Sequence, residues 1–216
     1  TVSARPVQFA LLGWRRFLTT FREVRRFREL AKFLLAFFIY NDAITTTIGF
    51  ATIFAVTTIG FNMKEVTILF IVLQFTAVAG AFAFGYLVDR IGAKPSIIIT
   101  LLVWCGTVIG AYFCYTKIGF YVVGLFAGIA MGSSQSASRT MVANLSPPDR
   151  IAEFYGFFAA CGKFAAIIGP YIFGLVSKLT GSQRTAVLSV LVFFVTGLLL
   201  LWLTVDEREG RRMKMN

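Results

Sequence analysis

The sequence contains no histidine, and among its 216 residues are only 3 cysteines and 5 prolines. Without histidine the commonest zinc and haem ligand is missing. Cys105, Cys114 and Cys161 lie inside apolar runs with no C-x-x-C spacing, so they read as small buried hydrophobes, and neither a metal nor another cofactor is called for. Charge is scarce as well: 14% of the residues are Asp, Glu, Lys or Arg, against about 25% in a typical globular domain. So little charge cannot clothe a water-facing surface, which excludes a soluble domain. An enzyme is not expected either and ranks a distant third, because Asp42 is the one carboxylate deep inside an apolar run and no paired-carboxylate or metal constellation accompanies it.

What is abundant points to lipid as the solvent. Hydrophobic residues make up 57%, with 24 Phe and 19 Gly, and the mean hydropathy is +0.78. A helix needs roughly 20 residues to cross a hydrocarbon core of about 30 Å. Apolar runs bounded by charge, Gly and Pro give six such spans, at 33–56, 66–88, 97–115, 119–138, 154–176 and 187–205. The expected organisation is a basic amphipathic connector over 1–32, a six-helix bundle over 33–205 and a basic tail over 206–216. The formal charge of +11 does not indicate nucleic acid, since the basic residues lie between apolar runs rather than on a folded polar module.

Lys and Arg concentrate in cytoplasmic loops. With six spans both ends share one side, and that side holds 8 basic residues before position 33, then Arg90, Lys94, Arg139, Arg150 and 4 in the tail. The other side holds Lys64, Lys117, Lys178 and Arg184, which places both ends of the chain in the cytoplasm. The loop 139–153 is then cytoplasmic, so Asn144-Leu145-Ser146 is a glycosylation triplet in pattern only. From Gly13 to Lys32, Trp14, Phe17, Phe21 and Val24 recur at helical spacing among arginines, an interfacial pattern. It suits a connector lying on the membrane between two halves of a larger bundle better than a regulatory element. Thr1 in place of an initiating Met also reads as a piece of a longer polypeptide.

A shift of 89 residues aligns Gly80, Phe84, Gly85 and Gly92 with Gly169, Phe173, Gly174 and Gly181. The second span is thereby matched to the fifth, which runs in the opposite direction, and inverted repeats of this kind mark secondary transporters. Between the second and third spans stands Gly85-Tyr86-Leu87-Val88-Asp89-Arg90-Ile91-Gly92-Ala93-Lys94. Gly85 would let helices approach closely, Asp89 would favour a neighbouring helix N-terminus, and Arg90 and Lys94 would hold the loop at the cytoplasmic face. The stretch resembles the G-x-x-x-D-R-x-G-x-[RK] loop motif of the major facilitator superfamily, a gating loop in those transporters. Phe38 to Ala43, Ser138-Arg139 through Ser146-Pro147-Pro148-Asp149-Arg150, Glu153 to Phe157, Gly162-Lys163 and Thr180 to Arg184 narrow the likeness. Together they resemble the C-terminal half of the autophagy-linked vacuolar effluxer-like family. The resemblance implies an all-α integral membrane fold in which six transmembrane helices form one half, a 3+3 inverted repeat, of a major facilitator. It also implies a preceding six-helix half and a permease activity; fungal members are associated with export of amino acids from the vacuole.

An ionisable group at the centre of a span costs about 2.5–3.5 kcal/mol or more, so Asp42 and Lys163 invite a functional reading. Each lies nine residues inside a span that starts at the same face, about 14 Å deep at about 1.5 Å per residue. They are expected to face a central cavity and pair when it is empty, with solute or a co-transported proton competing for the pairing; the alternative is a purely structural ion pair. Asn41, Gln74 and Gln135 are the other polar candidates for the same cavity, or else interhelical hydrogen bonds. Gly124, Gly128 and Gly132 form a packing stripe, and Gly169-Pro170 a kink. The partners implied are the lipid bilayer, a preceding half or a second copy of the chain, and a small solute. The competing class is a non-transporting assembly partner or channel subunit.

Overall fold

The computed structural model describes residues 27–204. Residues 1–26 of the expected connector and the whole expected tail lie outside the described residues. All regular structure in the described part is helical. The first span is α1 (Arg28–Phe54), prolonged by a π-helical turn at Ala55–Ile59; α2 (Met63–Ile91), α3 (Ala93–Phe113) and α4 (Lys117–Leu145) follow. A 3-10 turn at Pro148–Arg150 leads into a fifth span made of two pieces, α5 (Ile151–Phe164) and α6 (Ile168–Thr180), and α7 (Gln183–Thr204) is the sixth. All six are long and apolar enough to cross a membrane. Large apolar side chains such as Phe75 and Phe82 point outward at 74% and 78% exposure, the arrangement expected where the solvent is lipid.

Local chemistry sets the ends. Asn62 and Glu65 form a reciprocal capping box at the start of α2, with Glu65 N–H donating to Asn62 Oδ1 at 2.9 Å and Asn62 N–H to Glu65 Oε2 at 2.8 Å. Thr116 caps α4 through the Gly119 N–H. Gly92 and Gly181 end their helices at φ 93° and 65°, a region costly for side chains, and they are the two glycines related by the 89-residue shift.

Each span begins two to five residues ahead of its expected start, and two larger differences stand out. The fourth span continues from 138 to Leu145, so Arg139 and Asn144 are helical rather than in a loop. Its polar run persists because the buried hydroxyls find partners inside the bundle: Ser133 donates to Ile129 O at 2.6 Å and Ser138 to Ser134 O at 2.5 Å. The bend in the fifth span falls at Ala165–Ile167, ahead of Gly169-Pro170. Proline conflicts with the carbonyl four residues earlier, here Ala166, and Pro170 itself then fits the first turn of α6.

Packing repeats with the sequence. The first span lies along the sixth, and the fourth along the third, as an exchange of the two three-helix units requires. The second span packs closely on the fourth, and the fifth, more sparsely, on the first. Trp104 stacks on Phe194 with centroids 5.3 Å apart at the centre of the core. Tyr40 Oη and Ser138 Oγ meet at 2.7 Å across the first and fourth spans. Because the Ser138 proton goes to Ser134 O, the tyrosine hydroxyl is the donor. Tyr40→Phe is expected to destabilise the bundle by about 0.6–1.7 kcal/mol, read as a small fall in detergent melting temperature with the fold retained.

Candidate functional site

Asp42 lies halfway along α1 at 1% exposure. Its Oδ2 accepts the Gly169 N–H at 2.6 Å, so the carboxylate sits on the first turn of α6, where the fifth span restarts after its break. That is the favourable end of a helix dipole for an anion. The other oxygen, Oδ1, is buried and has no hydrogen-bond partner among the described residues, and neither has the Oγ1 of Thr46, one turn further along α1. Both atoms border Gly169: a Cβ placed there would lie 3.0 Å from Oδ1 and would collide with Thr46 Oγ1. Glycine is therefore what allows the broken helix to rest on the carboxylate.

Asp42 and Lys163 do sit at one level, because their neighbours are joined: Asn41 Nδ2 donates to Gly162 O at 3.1 Å. They do not pair. Asp42 turns into the bundle toward Gly169, whereas the Lys163 side chain is exposed on α5 and makes no ion pair with it. Adjacent residues on a helix point about 100° apart, and it is Asn41 rather than Asp42 that faces α5.

Gln74 and Gln135 come together elsewhere. Both line an open groove of about 510 Å3 between α2 and α4, whose wall also carries Ser136, Arg139 and Thr140. Arg139 is added by the structure, for the extension of α4 places it within the span. Thr46 is the second addition; its spacing of four from Asp42, one face of a helix, was the signal for it.

The small residues serve close packing. A Cβ on Gly132 would lie 2.7 Å from the Ala77 carbonyl carbon and one on Gly128 3.1 Å from Leu73 Cα, while Gly124 faces Leu69 Cδ1 at 2.6 Å. In the last third of α2 the expected close approach at Gly85 is not formed within this bundle. A Cβ there would meet only Ser136 Oγ at 3.9 Å, and the tight contact falls at Gly80, against the Ile129 backbone. Asp89 is exposed and contributes no cap to α3, whose N-terminus has no side-chain cap. Arg90 lies over the Tyr86 ring and bonds its hydroxyl, and Lys94 donates to Trp202 O at 3.0 Å, which ties the loop to the sixth span.

The family described as "Vacuole effluxer Atg22 like" matches residues 3–214. The chain belongs to this family. An uncharacterised MFS-type transporter, YxiO, of Bacillus subtilis (strain 168) is 30% identical over 195 residues, covering 90% of this chain and 45% of the relative. Autophagy-related protein 22 of Yarrowia lipolytica is 27% identical over 214 residues, 94% of this chain and 36% of its own length. Autophagy-related protein 22-2 of Emericella nidulans is 30% identical over 223 residues, 96% and 37%. The chain thus spans less than half the length of these relatives. Family membership and six apolar helices together make it a multi-pass integral membrane protein with the architecture of one half of a major facilitator.

Proposed function

We propose that this chain is one half of a permease that moves a small solute, with amino acids as the leading class, across a membrane by alternating access. The other half either precedes it in the same polypeptide or is a second copy, and the two rock against each other around a shared cavity. Both ends lie in the cytoplasm, the residues before the first span serve as a surface connector, and those after position 205 form a basic tail.

One observation carries the reading: a carboxylate at 1% exposure, one oxygen held by the restart of a broken span and the other without a partner. A buried ionisable group with an unsatisfied atom is a poor device for stability. It suits a proton-binding site, because protonation removes the charge and supplies the hydrogen that Oδ1 can offer to Thr46 Oγ1. Charging and discharging Asp42 then changes its hold on Gly169, and with it the seating of α6 against α1. Lys163 and Asn41, at the same level, complete the polar centre, with Lys163 exposed toward the space the other half would fill.

The test is counterflow. Full-length protein in liposomes loaded with unlabelled amino acids should take up the same amino acids in labelled form transiently above equilibrium. A saturable overshoot supports a carrier; ion currents that do not saturate would instead assign the protein to the channel class.

A further inference from the structure

The geometry points to the groove between α2 and α4 as the place where the permease proposed above holds a carboxylate-bearing solute, with Arg139 gripping its carboxylate and Gln135 and Gln74 lining the path inward. Gln135 and Arg139 stand four residues apart on one face of α4, and Gln74 faces them from α2. The walls carry a guanidinium, two amides and the hydroxyls of Ser136 and Thr140, while the floor includes Ala77 and Gly132. No acidic side chain lines it, and the Arg139 guanidinium has no hydrogen-bond or ion-pair partner among the described residues. Its backbone, by contrast, is anchored: Tyr155 Oη donates to Arg139 O at 2.8 Å.

An unpaired cation on a membrane-spanning helix needs an anion or water. Guanidinium presents a planar fork of donors that matches a carboxylate with two parallel hydrogen bonds. At about 510 Å3 the groove has the size of a small-molecule site. A lipid phosphate is the other source of an anion, but the polar lining does not stop where headgroups do. Arg139 lies six residues from the end of α4, about 9 Å along the axis, Gln135 about 6 Å deeper, and Gln74 eleven residues into the 29-residue α2. Amides at those depths serve a solute moving inward and not a headgroup held at the surface.

Phenylglyoxal labelling of Arg139 tests this in the full-length protein in phosphatidylcholine nanodiscs, with the adduct quantified by peptide mass spectrometry and R139Q as the blank. An equimolar mixture of the proteinogenic amino acids, lactate, succinate and citrate should slow labelling of Arg139 by about tenfold, and the corresponding amides and methyl esters should not. Gln135→Ala should raise the concentration needed for protection. Equal protection by both mixtures, or by neither, overturns the assignment, as does equal protection by phosphatidylglycerol discs without solute. The labelling rate reports occupancy of the site and needs no transport, so the two readings fail separately. Protection without counterflow would sink the permease and leave the site; counterflow without protection would sink the site alone.

Discussion

Asp42→Asn is expected to abolish proton-driven accumulation of solute by the full-length protein while leaving it folded and able to exchange solute downhill. The substitution keeps size and shape. The amide oxygen can still accept the Gly169 N–H that Oδ2 accepts at 2.6 Å, and the new NH2 can donate to Thr46 Oγ1, which lacks a partner in the native chain. What is lost is the ability to exchange a proton. One proton carried per cycle sustains about tenfold accumulation for each unit of pH gradient, since a pH unit is about 1.4 kcal/mol; in the variant the ratio should fall to one. Labelled uptake into liposomes with an imposed pH gradient measures it, beside counterflow in the same vesicles. Native accumulation in the variant would remove Asp42 from coupling, and loss of both activities with a normal melting temperature would make it a solute ligand instead.

The spans, the inverted repeat and the loop motif were legible because each is written locally, in hydropathy and in glycines that must meet backbone. The repeat runs deeper than its four identities. The shift that carries Gly80 onto Gly169 also carries Gln74 onto Lys163 and Thr46 onto Gln135. Gly80 rests on the fourth span and Gly169 on the first, which are themselves exchanged by the repeat. Less legible was where a polar side chain points. Hydropathy gives depth, but a span in a bundle has lipid, interior and open faces, and one polar residue does not choose among them. Asp42 and Lys163 adjoin the joined pair Asn41 and Gly162 yet face different ways, because Asn41 is the residue turned toward α5. Arg139 was taken for a loop residue because the polar run from Ser133 ends the hydropathy signal, while buried hydroxyls bonded within the helix carry α4 onward to Leu145.

The two equivalent contacts have diverged in a way that bears on mechanism. On one side of the bundle α2 and α4 are locked by glycines against backbone, and their groove is open and polar. On the other side the fifth span is broken and meets α1 through a buried carboxylate as well as through rings, Phe37 on Phe158 and Phe50 on Phe173. A contact made by hydrogen bonds to an ionisable group can be loosened by a proton, whereas glycine–backbone packing cannot. Under the alternating access proposed above, movement within this half is expected in α5 and α6, with α2 and α4 as the fixed wall.

That fixed wall gives the second large effect: Gly132→Val should prevent stable folding, and Gly85→Ala should be nearly silent. At Gly132 the first added carbon would lie 2.7 Å from the Ala77 carbonyl carbon and 3.0 Å from its Cα. Both are backbone atoms in the middle of α2, so no rotamer change relieves the clash and the helices must separate along their length. Overpacking of a tight core costs about 3 kcal/mol or more when nothing can yield, and separation here also withdraws Gly80 O, at 3.3 Å the weaker of the two acceptors sharing the Ser133 hydroxyl proton with Ile129 O. Gly85, four residues beyond Ala81 on the same helix, would place its new carbon 3.9 Å from Ser136 Oγ, ordinary contact with a side chain that can turn. The pair separates steric packing from general intolerance of change in α2 and α4. Monodisperse yield on size exclusion and the detergent melting temperature should collapse for Gly132→Val and stay within about 1 kcal/mol of the native protein for Gly85→Ala. A Gly132→Val protein with the native melting temperature would mean that the two helices are not in contact there, and the wall assigned to them would have to be placed elsewhere.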